Sequence, residues 1–246
     1  MKIISCSIVL ALVLFNNASA QDLSTTDHTK NIALKFAPAG LGVGKITFGA
    51  EYNFRHRNSL TLLAGVPFNK TNTIQIDGDN SDISSNAFSL MTGFRHYFGK
   101  KTMSGFYVEP YVKYLKLDAK GLLNKELQGE NAIFDTHGKY EGIGIGAQLG
   151  FQVIIAKLVV FDLYVIGPEA NSAKASTIST DITNVLPWSF ADQQQVQDDI
   201  KATLKDIPVI GDKIEVKVDN IKKTVTINYS GFIPGFRAGA SIGIRL

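Results

Sequence analysis

The stretch Lys45–Phe54, KITFGAEYNF, alternates without interruption: Ile46, Phe48, Ala50, Tyr52 and Phe54 on one side, Lys45, Thr47, Gly49, Glu51 and Asn53 on the other. Successive side chains of a strand point to opposite faces, so this is a strand with one apolar and one polar face. A soluble sheet turns the apolar face inward. A membrane-spanning barrel turns it outward and fills its lumen with the polar face. Which of the two applies decides the fold, and the rest of the chain bears on it.

The same alternation recurs seven more times. It predicts strands over 31–37, 59–68, 86–98, 105–115, 141–151, 159–165 and 235–246. Connections after the second, fourth and sixth strands are short, whereas those after the third, fifth and seventh are long. An even count of tilted strands with short turns at one end and long loops at the other is the pattern of an up-and-down transmembrane barrel. The expected loops are 69–85, 116–139 and 167–234.

Three features favour apolar outward. Aromatic residues collect at strand ends on the apolar face: Phe54, Phe98, Phe106 and Phe151 at the short-turn end, and Phe36, Phe68, Phe88, Tyr114 and Phe236 at the long-loop end. Two such girdles suit the two boundaries between hydrocarbon and water. The polar face is rich in glycine, including Gly49, Gly65, Gly93, Gly142, Gly144, Gly146 and Gly150, which a narrow interior needs if large residues are to fit beside small ones. Those large residues include Lys35, Tyr97, Tyr107, Tyr111, Asp162 and Tyr164. The same face carries Lys45, Glu51, Arg95, Glu109, Lys113, Arg237 and Arg245, whose opposite signs predict a charge network across a side-chain-filled lumen. Finally, the chain stops on an alternating strand, AGASIGIRL, placed to pair with the first. Pro110 cannot donate to a ladder, so a bulge is expected there.

The N-terminus reads as a cleaved signal peptide, residues 1–20: Lys2, an apolar run Ile3–Phe15 too short to span a bilayer, and the small triplet Ala18-Ser19-Ala20. A polar leader, 21–30, follows, and 31–246 forms the barrel. The sole cysteine, Cys6, lies inside the signal, so the mature chain uses no disulfide. A formal net charge of +3 gives no basis for nucleic-acid binding.

Segment 167–234 is too long for a plain loop. Ser189 with Asp192 forms a capping box opening a helix that places Val196, Ile200, Leu204 and Ile207 on one face and stops at Pro208. Lys213–Val218 and Thr224–Tyr229 alternate as a short hairpin. This insertion reads either as a cap on the barrel mouth or as a binding surface.

Taken together, the signal, the hairpin GFRHYFGKK…GFYVEPYVKY and the alternating C-terminal strand resemble the small outer-membrane β-barrels of Gram-negative bacteria, the OmpA/OmpX-type eight-stranded group and barrel domains of unknown function. Leu246 departs from the aromatic that often ends such chains. The resemblance implies an all-β, eight-stranded antiparallel barrel in the outer membrane, delivered by the outer-membrane assembly machinery, monomeric and surrounded by lipid; long loops on a rigid scaffold add the expectation of a structural or surface-interaction protein whose binding, if any, of an unidentified surface ligand runs through its outer loops.

Other chemistries are weaker. Asp77, Asp79, Ser81 and Asp82 form an acidic cluster, but the positions where a calcium loop needs glycine and glutamate are Asp82 and Phe88. His137 beside Asp135 and near Glu141 is the histidine best placed for rim chemistry, yet no serine stands at a matching offset, and Ser172 with Lys174 is only a loop dyad. Neither a catalytic set, a cofactor site nor a metal site is expected. A lipocalin-like soluble barrel with an apolar ligand is the alternative, although its usual tryptophan near the first strand is absent and Trp188 lies in the last long loop. The signal reading predicts that the exported protein begins at Gln21 by intact mass. A mass that retains Cys6 contradicts it.

Overall fold

A computed structural model describes residues 32–76, 79–127, 130–183, 187–205 and 213–246. The signal (1–20) and leader (21–30) lie outside the described residues. The described chain is all-β and antiparallel, with twelve strands. These are β1 (Ile32–Ala37), β2 (Lys45–Arg55), β3 (Asn58–Pro67), β4 (Lys70–Ile76), β5 (Asp79–Tyr97) and β6 (Gly105–Leu127). They continue as β7 (Glu130–Ile155), β8 (Val159–Ile166), β9 (Pro168–Asp181), β10 (Ile214–Asp219), β11 (Thr224–Phe236) and β12 (Gly239–Arg245). One helix, α1 (Phe190–Lys205), and a 3-10 turn over Pro38–Val43 complete the elements.

The pairings run β1–β2–β3–β5–β6–β7–β8–β12 and return from β12 to β1. First and last strands therefore meet, with Leu34 opposite Ile244 and the Leu246 amide donating to the Ile32 carbonyl at 2.8 Å. This circuit passes through the eight segments that the alternation picks out.

The expected count of eight strands falls short because 69–85 and 116–139 are themselves sheet, and 167–234 holds β9 besides the hairpin expected over 213–218 and 224–229, which forms as β10 and β11. Segment 69–85 is β4 and the start of β5, paired from Lys70–Ser85 to Ile76–Asp79. Segment 116–139 is the far half of the β6–β7 hairpin, paired out to Leu127–Glu130. Segment 167–234 is not an insertion hung on a loop. β9 continues the line of β8 past Gly167, and β11 leads into β12 through Arg237 and Ala238. β7 pairs β9 through Gly146, then β8 from Leu149 onward. β11 pairs β9 just as β12 pairs β8. One side of the ring thus extends beyond the other as a sheet in the order β4-β5-β6-β7-β9-β11-β10. Thr and Ser populate β9 heavily, and their polar side chains hide a strand that β-propensity permits.

Two turns use left-handed backbone. Ala156 and Lys157, φ 51° and 59°, open the three-residue connection 156–158 from β7 to β8, where the Leu158 amide donates to the Ile155 carbonyl at 3.0 Å. Gly44, φ 75°, closes the 3-10 turn, and its carbonyl accepts from the Phe68 and Ala87 amides at 2.9 and 3.1 Å. A Cβ there would lie 2.3 Å from the Ser85 carbonyl, so this position has room only for glycine.

The bulge expected at Pro110 is absent. The β5–β6 ladder keeps one register from Ile83–Gly121 to Tyr97–Tyr107 but omits the pairs Phe94–Pro110 and Arg95–Glu109. The proline interrupts the ladder without inserting a residue. Register shifts occur instead at Asn53/Arg55 and Leu149/Gly150.

α1 packs on β10: Gln193 and Gln197 donate through Nε2 to the carbonyls of Val218 and Val216 at 2.7 and 3.2 Å. Val196 and Ile200 lie against an apolar cluster of Ala132, Phe134, Trp188, Val216, Val218 and Val225. Ile207 and Pro208, and the side chains of Asp192 and Leu204, fall outside what is described. Trp188 is buried, packs on Phe134 and donates through Nε1 to Asp181 at 3.0 Å. This second core is separate from the ring. Because the Asp181 amide bonds the Lys223 carbonyl at 2.9 Å, a short turn can join β9 to β11 directly. Replacing 183–222 with such a turn should leave hydrogen-exchange protection of β1–β3 and β12 unchanged. Loss of that protection would make α1 and β10 part of the ring's stability.

Candidate functional site

Alternation sends one set of side chains from every ring strand inward, and hydrogen bonds between strands that are not neighbours show where they meet. Arg95 of β5 is 2% exposed. Its Nε and Nη2 donate to Glu109 Oε2 at 2.9 and 2.6 Å, and its Nη1 to Asp162 Oδ2 and Gln152 Oε1 at 2.9 and 2.8 Å. Glu51 lies 3.3 Å from the same Nη1. Lys35 of β1 reaches Glu51 and Asp162 at 2.5 and 2.9 Å and shares the Gln152 acceptor. Two cations and three carboxylates thus converge from β1, β2, β5, β6 and β8.

Neutral groups complete the cluster. Tyr97 and Tyr107 donate to Glu51 Oε1 and Asp162 Oδ1, each at 2.6 Å, and Thr61 donates to Glu109. Gln148 donates to Glu109 Oε2 at 2.9 Å. The Arg95 guanidinium also lies over the Tyr107 ring, 3.8 Å from its centroid. Burying charge is costly unless every charge is paired and hydrogen-bonded. Here that condition is met: among the described residues, Thr47 Oγ1 alone is a buried side-chain polar atom without a partner.

The short-turn end is plugged. Met103, left-handed at φ 57°, turns into the ring beside Ala33, Tyr97, Tyr107 and Val160, and its carbonyl accepts from Gln152 Nε2 at 2.8 Å. Glycines face the largest inward residues. A Cβ on Gly150 would lie 2.3 Å from Tyr107, and one on Gly146 would lie 2.6 Å from Tyr111. The space left among Lys35, Glu51, Arg95, Asp162 and Arg237 is about 20 Å³, room for a single water.

Of the seven residues expected in the network, Glu51, Arg95 and Glu109 are joined at its centre, and Lys113 pairs with a carboxylate not anticipated, Glu169 of β9. Tyr111 donates to the same Glu169 at 2.9 Å. Lys45 and Arg237 differ from the expectation. Lys45 donates to Ser89 at 3.1 Å. Arg237 donates to Gln148 Oε1 at 2.9 Å and lies 4.7 Å from the Tyr164 ring centroid. Arg245 is buried at the end of β12. Lys35 and Asp162 fall on the inward alternation but are not among the expected network residues. Gln148, Gln152 and Glu169 were hidden, the first two among glycines and the third in an unrecognised strand.

The outward face is apolar from β1 round to β12. Phe54, Phe98, Phe106 and Phe88 are exposed on it, and Phe36, Phe68, Tyr114 and Phe151 half-buried. Phe106 meets Phe151 with tilted rings at 4.8 Å, and Phe88 meets Tyr114 edge-on at 6.1 Å. Phe236 is exposed on the same face, opposite Pro168, and Phe232, opposite Ser172, is a further outward aromatic of β11.

The weaker chemistries change place too. His137 Nε2 lies 3.3 Å from Asp135, both half-exposed on the outward face of β7. Ser172 and Lys174 are outward residues of β9, not loop residues. Asp82 accepts from Thr73 at 2.6 Å within the β4–β5 hairpin, and Asp77 lies outside the described residues.

No protein-family model matches the chain, and no curated protein matches it. The cluster geometry itself makes a quantitative prediction. Arg95→Ala leaves three carboxylates facing Lys35 alone and should cost about 3–5 kcal/mol. Glu109→Gln keeps the shape and removes the surplus negative charge, so it should cost clearly less. Denaturant unfolding of the two variants checks the order; equal losses would mean the cluster acts by packing, not charge.

Proposed function

We propose that the protein is an eight-stranded outer-membrane β-barrel of the OmpA/OmpX-like kind, a structural or surface-interaction protein with a filled lumen. The observation that carries this reading is inverted polarity. Charged groups crowd the inside of the ring, while Phe48, Leu62, Ile143 and Ile145 stand outward at 56, 50, 59 and 61% exposure. A monomer in water rarely exposes a contiguous apolar surface of this kind, whereas hydrocarbon favours it. Closed pairing supports the reading as well, since a bilayer tolerates no unpaired strand edge.

A plugged, charge-filled interior of this size leaves no room for a pore or an apolar ligand. Function then falls to the long-loop end, where β4, β10, the far halves of β6 and β7, and α1 present an ordered surface beyond the ring. On this reading the chain is exported by its signal, folded by the assembly machinery as a monomer, works without cofactor, and meets its unidentified surface partner through that region.

Fractionation with heated and unheated gels tests it. The protein should sediment with outer membranes, resist detergent unheated and change mobility on boiling. Recovery as a soluble periplasmic or secreted protein would overturn the membrane assignment in favour of a soluble barrel. Planar-bilayer recordings of the pure protein should show no large steady conductance, and porin-like currents would contradict the filled lumen.

A further inference from the structure

Two cavities lie one above the other on the outward face of the same strands. Rows of opposed residues fix their order along β6, β7 and β9. Lowest is Thr92–Val112–Ile145–Ala170, then Tyr114–Ile143–Ser172–Phe232, then Lys116–Glu141–Lys174–Ser230, then Asp118–Lys139–Ser176–Asn228–Glu215.

The lower cavity, about 850 Å³, is bounded by Leu60, Phe94, Pro110, Val112, Ile145 and Ala170. It opens where the ladder skips Pro110 and where β7 changes partner after Gly146. Short side chains at Pro110 and Ala170 sit among long, exposed ones at Phe94, Leu60 and Ile145. It lies between the two levels of outward aromatics, and its lining is mostly apolar, with Thr92, Tyr111 and Glu169 as the exceptions. Its size falls within the roughly 300–1,000 Å³ of small-molecule sites.

The upper cavity, about 700 Å³, is lined by Lys116, Lys139, Lys174 and Lys213 together with Ser176 and Asn228. Three carboxylates share its lining, Asp118, Glu141 and Glu215. Two of them are engaged: Glu141 accepts from Tyr114 at 3.0 Å, and Glu215 lies 3.8 Å from Lys217. Among the described residues, none of the four lysines has a carboxylate within 4.0 Å. Here the lysines are left facing a cavity.

We propose that the two cavities form one binding site for a phosphate-bearing lipid, its phosphate among the lysines and one acyl chain in the groove beside Pro110. Val112 and Lys116 are four residues apart, about 13 Å along a strand, a span that one amphipathic molecule bridges. The occupant follows from this order: an apolar groove inside the belt, an aromatic row at its edge, and directly beyond them a cavity whose four lysines outnumber its three carboxylates. Anionic lipid surfaces attract such lysines, and the effect adds per lysine. The inference rests on the membrane-barrel reading and deepens it by naming the lipid class.

The test reconstitutes the full chain in phosphatidylcholine vesicles carrying a trace of lipid with a photoreactive acyl chain, either phosphatidic acid or phosphatidylcholine, and maps labelled peptides. Phosphatidic acid should concentrate label on the peptides of Val112, Ile145 and Ala170, whereas phosphatidylcholine should label the belt evenly. Lys116→Glu with Lys174→Glu should cut that enrichment, by roughly five-fold per reversed lysine. Lys100→Glu, at the opposite end, should leave it intact. Ala170→Phe should abolish the enrichment by filling the groove while heat-modifiability persists. Even labelling by both lipids, or enrichment indifferent to the lysine reversals, overturns the site and leaves the barrel standing. Absence of belt labelling by either lipid overturns the barrel itself. Inorganic phosphate that binds the detergent-purified protein as tightly as the lipid would make this a free-anion site and overturn the lipid assignment.

Discussion

Arg95 is the contact on which the interior depends. Its guanidinium reaches Glu109 on the neighbouring strand and Glu51, Gln152 and Asp162 across the ring, while its flat face rests on Tyr107. One side chain therefore ties β2, β6, β7 and β8 to β5. A planar, permanently charged fork suits this role where a flexible ammonium would not. The desolvation that makes burial expensive also makes each bond strong and its geometry demanding. Only one arrangement of the strands brings all these partners together, so the cluster specifies register as well as filling space.

Everything around Arg95 follows from the need to bury that cluster. Gly93 and Gly150 give up their side chains so that Glu109 and Tyr107 can fit. Met103 folds back to close the short-turn end. The apolar halves of the strands are then left no place but outward. In water this arrangement would be unfavourable on both counts, with charge inside and hydrocarbon outside. Hydrocarbon around the ring would remove the second cost, while the inner charges rely on their own pairing in either medium.

The long-loop side obeys different rules. Beyond the row of Tyr114 and Phe232 the inward residues turn apolar: Phe134, Val216, Val218 and Val225 pack with Trp188 beneath α1. Outward residues there turn charged. The polarity of the sheet thus reverses along single strands, from charge inside to charge outside. β6 and β7 pass through this reversal without a break, which makes the extended sheet a rigid continuation of the ring and not a set of loops.

Alternation determined the strands of the ring and which residues share a face, Glu51, Arg95 and Glu109 among them; the aromatic girdles and the glycine-rich polar face then pointed that face inward. A period of two is a local property, visible wherever apolar and polar residues take turns. What alternation could not reveal is who meets whom across the ring. Lys35 and Asp162 join Arg95 because β1 and β8 curve to face β5, a relation no spacing encodes. Gln148 and Gln152 read as unremarkable among glycines until the ring closes on them. Glu169 stayed hidden because β9 alternates threonine and serine with alanine and lysine, a pattern whose two faces differ too little to announce a strand. The same blindness placed Pro110 in a bulge. Strand length and ladder continuity are set by neighbouring strands, and those neighbours are supplied only by the tertiary structure.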